Sequence, residues 1–228
     1  PQLGKAKTAQ LVATLESKNG WHRETASRLL WQKQDKAAVP LLNKLLKNSK
    51  SPLARLHALH ALVGQGALTE VNLQTALVDT DPAVREHAVK LSERFIAKGI
   101  LPPQLWARLQ ALTGDPDITV RYQLAFTLGE LQNPERLAAL AAIASKDADS
   151  AWTRAAILSS LAEGAGTVFT TLSGDAAFRG SKPGQEMLRQ LIALVGAKKD
   201  PAELNGVVTF LKQLNDPALV FSMTRALG

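Results

Sequence analysis

The chain has no cysteine. That excludes a disulfide framework, a thiolate metal site, a cysteine nucleophile and covalent haem attachment through CxxCH within it. It does not fix the compartment, because secreted proteins without disulfides and cytosolic proteins share this trait. Long apolar runs are also missing. The apolar stretches are short and amphipathic, and membrane insertion is not expected. The common catalytic signatures are absent too: there is no GxSxG, no P-loop, no GxGxxG at a strand–helix junction and no HExxH. The one glycine-dense segment, 164–184, lacks the Lys-Ser/Thr pair that a phosphate cradle needs. No enzyme is expected from these residues. The first residue is Pro1 rather than methionine, and no signal peptide follows. The expectation is a piece of a longer polypeptide, or a processed form.

What is present is apolar and basic. Hydrophobic residues make up 46% and charged residues 21%, enough for a core and too apolar for disorder. The net charge is +7, unevenly placed. Residues 1–60 hold eleven Lys/Arg, from Lys5 to Arg55, against Glu16, Glu24 and Asp35. The rest is close to neutral. A basic end attracts polyanions, although a lysine-rich surface is commonly just a solvated face.

An arginine returns at a near-constant interval: Arg23, Arg55, Arg85, Arg121, Arg154 and, more weakly, Arg189, with gaps of 32, 30, 36, 33 and 35. Periods of this size mark repeat architectures, in which one supersecondary unit stacks on the next. Each unit reads as helix A, a turn and helix B. The approximate repeats are 5–34, 36–66, 69–99, 102–130, 133–163, an irregular 167–196, and 200–228, together one array over 1–228. Ser51-Pro52, Asp81-Pro82, Asp115-Pro116 and Asp216-Pro217 each read as an N-cap with proline at the first helical position. At the fourth unit Arg121 then stands six residues after its aspartate rather than four. Segment 164–184, with five glycines, reads as a shortened helix A and a loop. The last helix is expected to run to Gly228. Three residues after each arginine come Ala26, Ala58, Ala88, Leu124, Ile157 and Ile192. Seven after come Leu30, Leu62, Ser92, Leu128, Leu161 and Gly196. Small or apolar residues four apart on one face suit a tight helix seam.

Asp81-Pro82-Ala83-Val84-Arg85-Glu86-His87-Ala88 resembles the Asp-Pro-x-Val-Arg…Ala signature of HEAT repeats, and the resemblance extends over most of the chain. It implies an all-α fold: a right-handed α-α superhelix, a HEAT-like solenoid of about six to seven helical pairs. It also implies that the recurring Arg and Asp residues form a structural ladder: Arg23, Arg55, Asp81, Arg85, Asp115, Arg121, Arg154 and Arg189. Arg85 is then expected to pair with Asp81 or with an acid of the neighbouring repeat. A narrower likeness rests on Asn19-Gly20-Trp21-His22-Arg23-Glu24-Thr25-Ala26-Ser27-Arg28-Leu29-Leu30, on Asp35–Pro40, and on Ser51-Pro52-Leu53-Ala54-Arg55-Leu56-His57-Ala58-Leu59. These are similar to the HEAT section of the PVC-type haem-binding CxxCH multidomain family, often described as putative membrane-bound dehydrogenases. That likeness implies a periplasmic or exported parent carrying haem c, with no cofactor in this chain.

Three groups of side chains invite a functional test. His57 and His60 lie three apart on one helix, and His87 repeats the phase of His57, so a three-histidine metal site is conceivable. Solvent- or seam-facing histidines are the plainer expectation. Trp21 and Trp152 each fall two residues before a ladder arginine. There they are expected to pack into a seam; if exposed, together with His22, they would anchor a peptide or stack a base. The resulting function is a non-catalytic scaffold that holds a protein partner or neighbouring domains of its parent. The alternative is a nucleic-acid binder similar to HEAT-like DNA glycosylases, which use a basic concave surface with tryptophan and aspartate. The confinement of excess charge to residues 1–60 counts against that alternative.

Overall fold

The computed structural model describes residues 2–97, 99 and 101–227. Among the described residues it is helical throughout, with α-helices and two 3-10 turns (Leu3–Lys5 and Leu112–Gly114) and no strand. The chain divides into two compact units, Pro1–Leu109 and Gln110–Gly228. The division falls inside helix α7, within the expected fourth repeat.

The first unit holds three pairs: α1 (Thr8–Thr14) with α2 (Gly20–Lys33), α3 (Ala38–Asn48) with α4 (Pro52–Gly64), and α5 (Glu70–Ala76) with α6 (Pro82–Ile96). Helix α7 (Pro103–Ala111) follows. Successive A helices touch (α1 to α3, α3 to α5), and so do successive B helices (α2 to α4, α4 to α6). The second unit opens on α8 (Ile118–Gly129), followed by α9 (Arg136–Asp147) and α10 (Ala151–Ser159). Then come α11 (Ala165–Ser173), the short α12 (Ala176–Gly180), α13 (Lys182–Lys198), α14 (Pro201–Gln213) and α15 (Pro217–Ala226). Here α8, α10, α13 and α15 form one row of contacts, and α9, α11 and α14 the other. Each unit is thus a short stack of helical pairs, the arrangement of an α-solenoid. The expected end of the last helix at Gly228 lies outside the described residues.

The seam is built from the positions that follow each arginine. Ala26, Ala58, Ala88, Leu124 and Ile157 are wholly buried, as are Leu62, Ser92 and Leu128. Leu30 and Leu161 are nearly so. Fully burying one such leucine or isoleucine stabilises the fold by about 1.5–3 kcal/mol. Alanine in the first three repeats lets neighbouring B helices approach closely.

Each B helix is started by a side chain that accepts a first-turn amide: Asn19, Ser51, Asp81, Asp117, Ser150, Asp175 and Asp216. Such a cap contributes about 1 kcal/mol. One expectation is corrected here. The cap of the fourth B helix is Asp117 and not Asp115, because Pro116 stays outside the helix. Arg121 therefore stands four residues past its cap, like Arg55 past Ser51, and its spacing is regular.

Segment 164–184 also differs from expectation. It is helical, as α11 and α12, and breaks at Gly174 and Asp175 between them and again at Ser181, whose hydroxyl caps α13. Two of its glycines have identifiable causes. Gly164 holds φ +86°, the left-handed entry to α11. Gly184 lies so close to Phe178 that a Cβ would stand 1.9 Å from its carbonyl oxygen. These two glycines serve tight geometry.

Candidate functional site

The recurring arginines act on the turn between helix A and helix B. From the fourth residue past the cap, the side chain folds back over the turn. Its Nη1 donates to the carbonyl six residues earlier: Arg23 to Ser17 (2.7 Å), Arg55 to Ser49 (2.8 Å), Arg85 to Asp79 (2.8 Å) and Arg154 to Ala148 (2.6 Å). Arg121 does the same to Asp115, and Arg179 to Ser173. These carbonyls lie at or just beyond the ends of A helices, where backbone acceptors lack intrahelical donors and positive charge is favoured.

From Arg55 and Arg121 the remaining nitrogens of the guanidinium reach an aspartate of the next repeat. Arg55 Nε and Nη2 each lie 2.6 Å from Asp79, and Arg121 Nε and Nη2 each lie 2.6 Å from Asp147. All four side chains are 10% exposed or less, those of Arg121 and Asp147 at 6% and 5%. These carboxylate bonds raise both guanidinium pKa values above the ordinary arginine range. The sequence reading missed Asp79 and Asp147; the signal was an acid two or three residues before the cap.

Two expected ladder members are placed elsewhere. Asp81 caps α6 through the Ala83 amide. Arg189 pairs with Glu186 on its own helix, both about 38% exposed, and spans no turn. The turn-locking arginine of that repeat is Arg179. Arg189 had nonetheless marked a buried seam, since Ile192 and Gly196 are both buried.

The three histidines do not converge. His57 Nε2 accepts from Arg23 Nε at 3.3 Å, and its Nδ1 faces the Ser27 hydroxyl at 3.3 Å. Burial, then the Arg23 charge, lower its pKa. His60 Nε2 instead meets His87 Nδ1 at 2.9 Å, with the rings edge to face. Desolvation of the ring edge against its neighbours, followed by His87, lowers the His60 pKa, although the residue as a whole is exposed. No group of three His, Cys, Asp or Glu able to hold a metal occurs among the described residues. The geometric reason is that Arg23 and Ser27 draw the His57 ring away.

The tryptophans correct another expectation. Trp21 is 62% exposed and Trp152 75%, so neither is packed into a seam. His22 is half-buried, edge to face with Trp21. Leu53 repeats the phase of Trp21 on the next B helix and is also exposed. In the second unit exposed apolar side chains gather beside a groove. Ile118, Tyr122 and Phe126 follow one another at four-residue spacing along α8, with Tyr122 and Phe126 in edge-to-face contact at 5.1 Å. Trp152, at the start of α10, joins them. A groove of about 320 Å³ lies there, lined by Ile118, Thr119, Tyr122, Ser150, Trp152 and Thr153. Its exposed continuation on α10, Ala155 and Ser159, is small and uncharged.

The basic N-terminal surface consists of other side chains. Lys33 and Lys36 donate to the carbonyls of Ala6 and Gln65, and Arg23 and Arg55 are held in the turns. Lys5, Lys7, Lys18, Arg28, Lys44, Lys47 and Lys50 are exposed. No helix among the described residues is long and apolar enough to cross a membrane.

Comparison with known proteins adds a family likeness. A model of HEAT repeats matches residues 106–166, a stretch that takes in α8, α9 and α10. Among solved structures, Escherichia coli YibA is 20% identical over 99% of this chain and 94% of its own, with a TM-score of 0.48. A designed armadillo repeat protein in complex with the peptide (KR)4 is 17% identical over 98% of this chain and 100% of its own, with a TM-score of 0.37. Human deoxyhypusine hydroxylase in complex with glycerol is 22% identical over 99% and 85%, with a TM-score of 0.35. No curated protein matches the chain significantly.

Proposed function

We propose that this chain is a non-catalytic interaction scaffold that holds a protein partner along its exposed B-helix surface. One observation carries the reading. Ile118, Phe126 and Trp152 are exposed and, with the half-buried Tyr122, form an aromatic–aliphatic surface beside a groove. Aromatic residues beside a pocket are what interface anchors are made of, and contiguous apolar patches on soluble proteins mark contact sites. Fold alone does not assign function; the exposed groove is what supports this reading. The test is affinity purification of the tagged protein from its source, wild type against the Ile118→Ser/Trp152→Ala variant. A stoichiometric protein partner retained by the wild type and lost by the variant is expected. Equal recovery by both would reject this surface as the docking face.

The nucleic-acid alternative draws on the exposed lysines of the N-terminal end. It loses the ladder arginines, whose guanidinium groups are already engaged. A DNA complex would weaken steeply with salt; the scaffold reading expects no DNA binding at moderate ionic strength. The likeness of residues 19–30, 35–40 and 51–59 to the haem-binding multidomain family supports the further proposal of an exported redox parent with haem c in another domain. A pyridine haemochrome spectrum and the mass of the native polypeptide test it.

A further inference from the structure

Arg55 and Arg121 each carry a second partner beyond the turn carbonyl. Arg55 and Arg121 present the Nε/Nη2 edge to an aspartate in the following A–B turn, two residues before the cap for Asp79 and three for Asp147. Arg179 is anchored in the same way, through the Ser173 carbonyl. Among the described residues it has no further hydrogen bond and no ion pair. The following turn, between α14 and α15, carries Leu214 two residues before the cap Asp216. The acid that Arg55 and Arg121 meet is replaced there by an aliphatic side chain. One repeat earlier Ser173 holds the equivalent place, and Arg154 Nε is buried without a partner.

At Arg179 the missing acid leaves an open site. A cleft of about 500 Å³ lies between the ends of α11 and α14, and both Arg179 and Leu214 line it. Phe210, fixed edge to face against Phe169 at 5.2 Å, forms an apolar wall. The Thr209 hydroxyl and the Gln213 amide supply hydrogen-bonding groups at the rim. The cleft shares no residue with the Trp152 groove.

We propose that this cleft binds a carboxylate with an apolar body, the acid reaching Arg179 from outside the chain. A guanidinium edge pairs with a carboxylate through two parallel N–H···O bonds, and the ligand's hydrocarbon covers Phe210 and Leu214. A pocket of this size, mainly apolar with one charged group, is typical of small-ligand sites. The C-terminal residue of a polypeptide and a free fatty acid both carry this chemistry.

The experiment titrates the full chain with two probes, N-acetyl-alanyl-leucine bearing a free C-terminus and hexanoate, and follows the Gly174 and Gly206 amides by NMR. N-acetyl-alanyl-leucine amide is the control. Saturable shifts with a free acid, at least tenfold weaker with the amide, are expected. Response to the peptide acid alone assigns a polypeptide C-terminus, and an equal response to hexanoate assigns free acids. Arg179→Gln should reduce binding at least tenfold. Leu214→Asp should do the same while raising Tm, because it supplies the acid internally; Leu214→Asn, which removes the same apolar contacts without adding charge, should keep binding within about threefold. No shift with either acid, equal binding of the amide, binding retained by Leu214→Asp, or a loss in Leu214→Asn matching that in Leu214→Asp would each overturn the proposal.

Discussion

Arg121→Ala tests the ladder most severely. The guanidinium is buried, bonded at 2.6 Å by both Nε and Nη2 to Asp147, and also donates to the Asp115 carbonyl. Removing it leaves the Asp147 carboxylate, 5% exposed, without its cation. An uncompensated buried charge of this kind costs about 3–5 kcal/mol. The Asp115 carbonyl adds little, since Lys146 Nζ already donates to it at 3.2 Å. In a chain of this length 1 kcal/mol moves Tm by about 2–4 °C, so a fall of at least about 6 °C is expected. Arg189→Ala is the internal control. Its pair with Glu186 is 38% exposed on both sides and joins residues three apart on one helix. Screening by water reduces such a pair to about 0.5 kcal/mol or less. The double variant Arg121→Met/Asp147→Leu removes both charges together and should recover most of the loss. Thermal melts followed by circular dichroism decide the matter. If Arg121→Ala and Arg189→Ala melt within about 1 °C of each other, the ladder does not stabilise the turns as described.

Other consequences follow from the same geometry. Ile157→Ala, at a wholly buried seam position, should cost about 2–5 kcal/mol in denaturant unfolding. Trp152→Ala, 75% exposed, should change stability by less than about 0.5 kcal/mol while abolishing partner recovery. The folded-state pKa values of His57 and His60 are lowered, so the unfolded chain takes up protons first. Their contribution to stability is therefore complete above the ordinary histidine pKa of about 6.5 and is lost as pH falls below it. His60→Gln should flatten the decline in Tm between about pH 7 and 5, and an unchanged slope would remove His60 as its source. Gly184→Ala should drive a methyl group into the Phe178 carbonyl and destabilise the α12–α13 break, seen as faster amide exchange there.

Much of the fold was legible because it depends on local chemistry. Cap and proline pairs such as Ser51-Pro52 and Asp81-Pro82 mark helix starts, and the spacing of Ala58 and Leu62 marks the buried face. The ladder acids were harder to read. Asp79 and Asp147 lie in turns, close in sequence to caps, and only the three-dimensional reach of an arginine from the previous repeat distinguishes a partner from a cap. At Asp115-Pro116-Asp117 the proline pointed to the wrong cap. Arg179 was hidden because its repeat is shorter before the arginine and its B helix is broken at Ser181. The exposure of Trp21 and Trp152 could not be read from phase, since an indole at a helix start satisfies either a seam or a surface. The groove beside Trp152 depends on two neighbouring repeats together.

The central claim is that a protein partner lies against the B-helix face. A photo-crosslinking residue at Ala155, exposed on α10 beside the Trp152 groove, reports that face, and one at Ala142, exposed on α9, reports the other row of helices. With the full protein in its source cells, a discrete crosslinked partner from position 155, absent from position 142 and lost when Trp152→Ala is added, is the predicted result. Crosslinks of equal yield from both positions, or a partner captured only from 142, would contradict it.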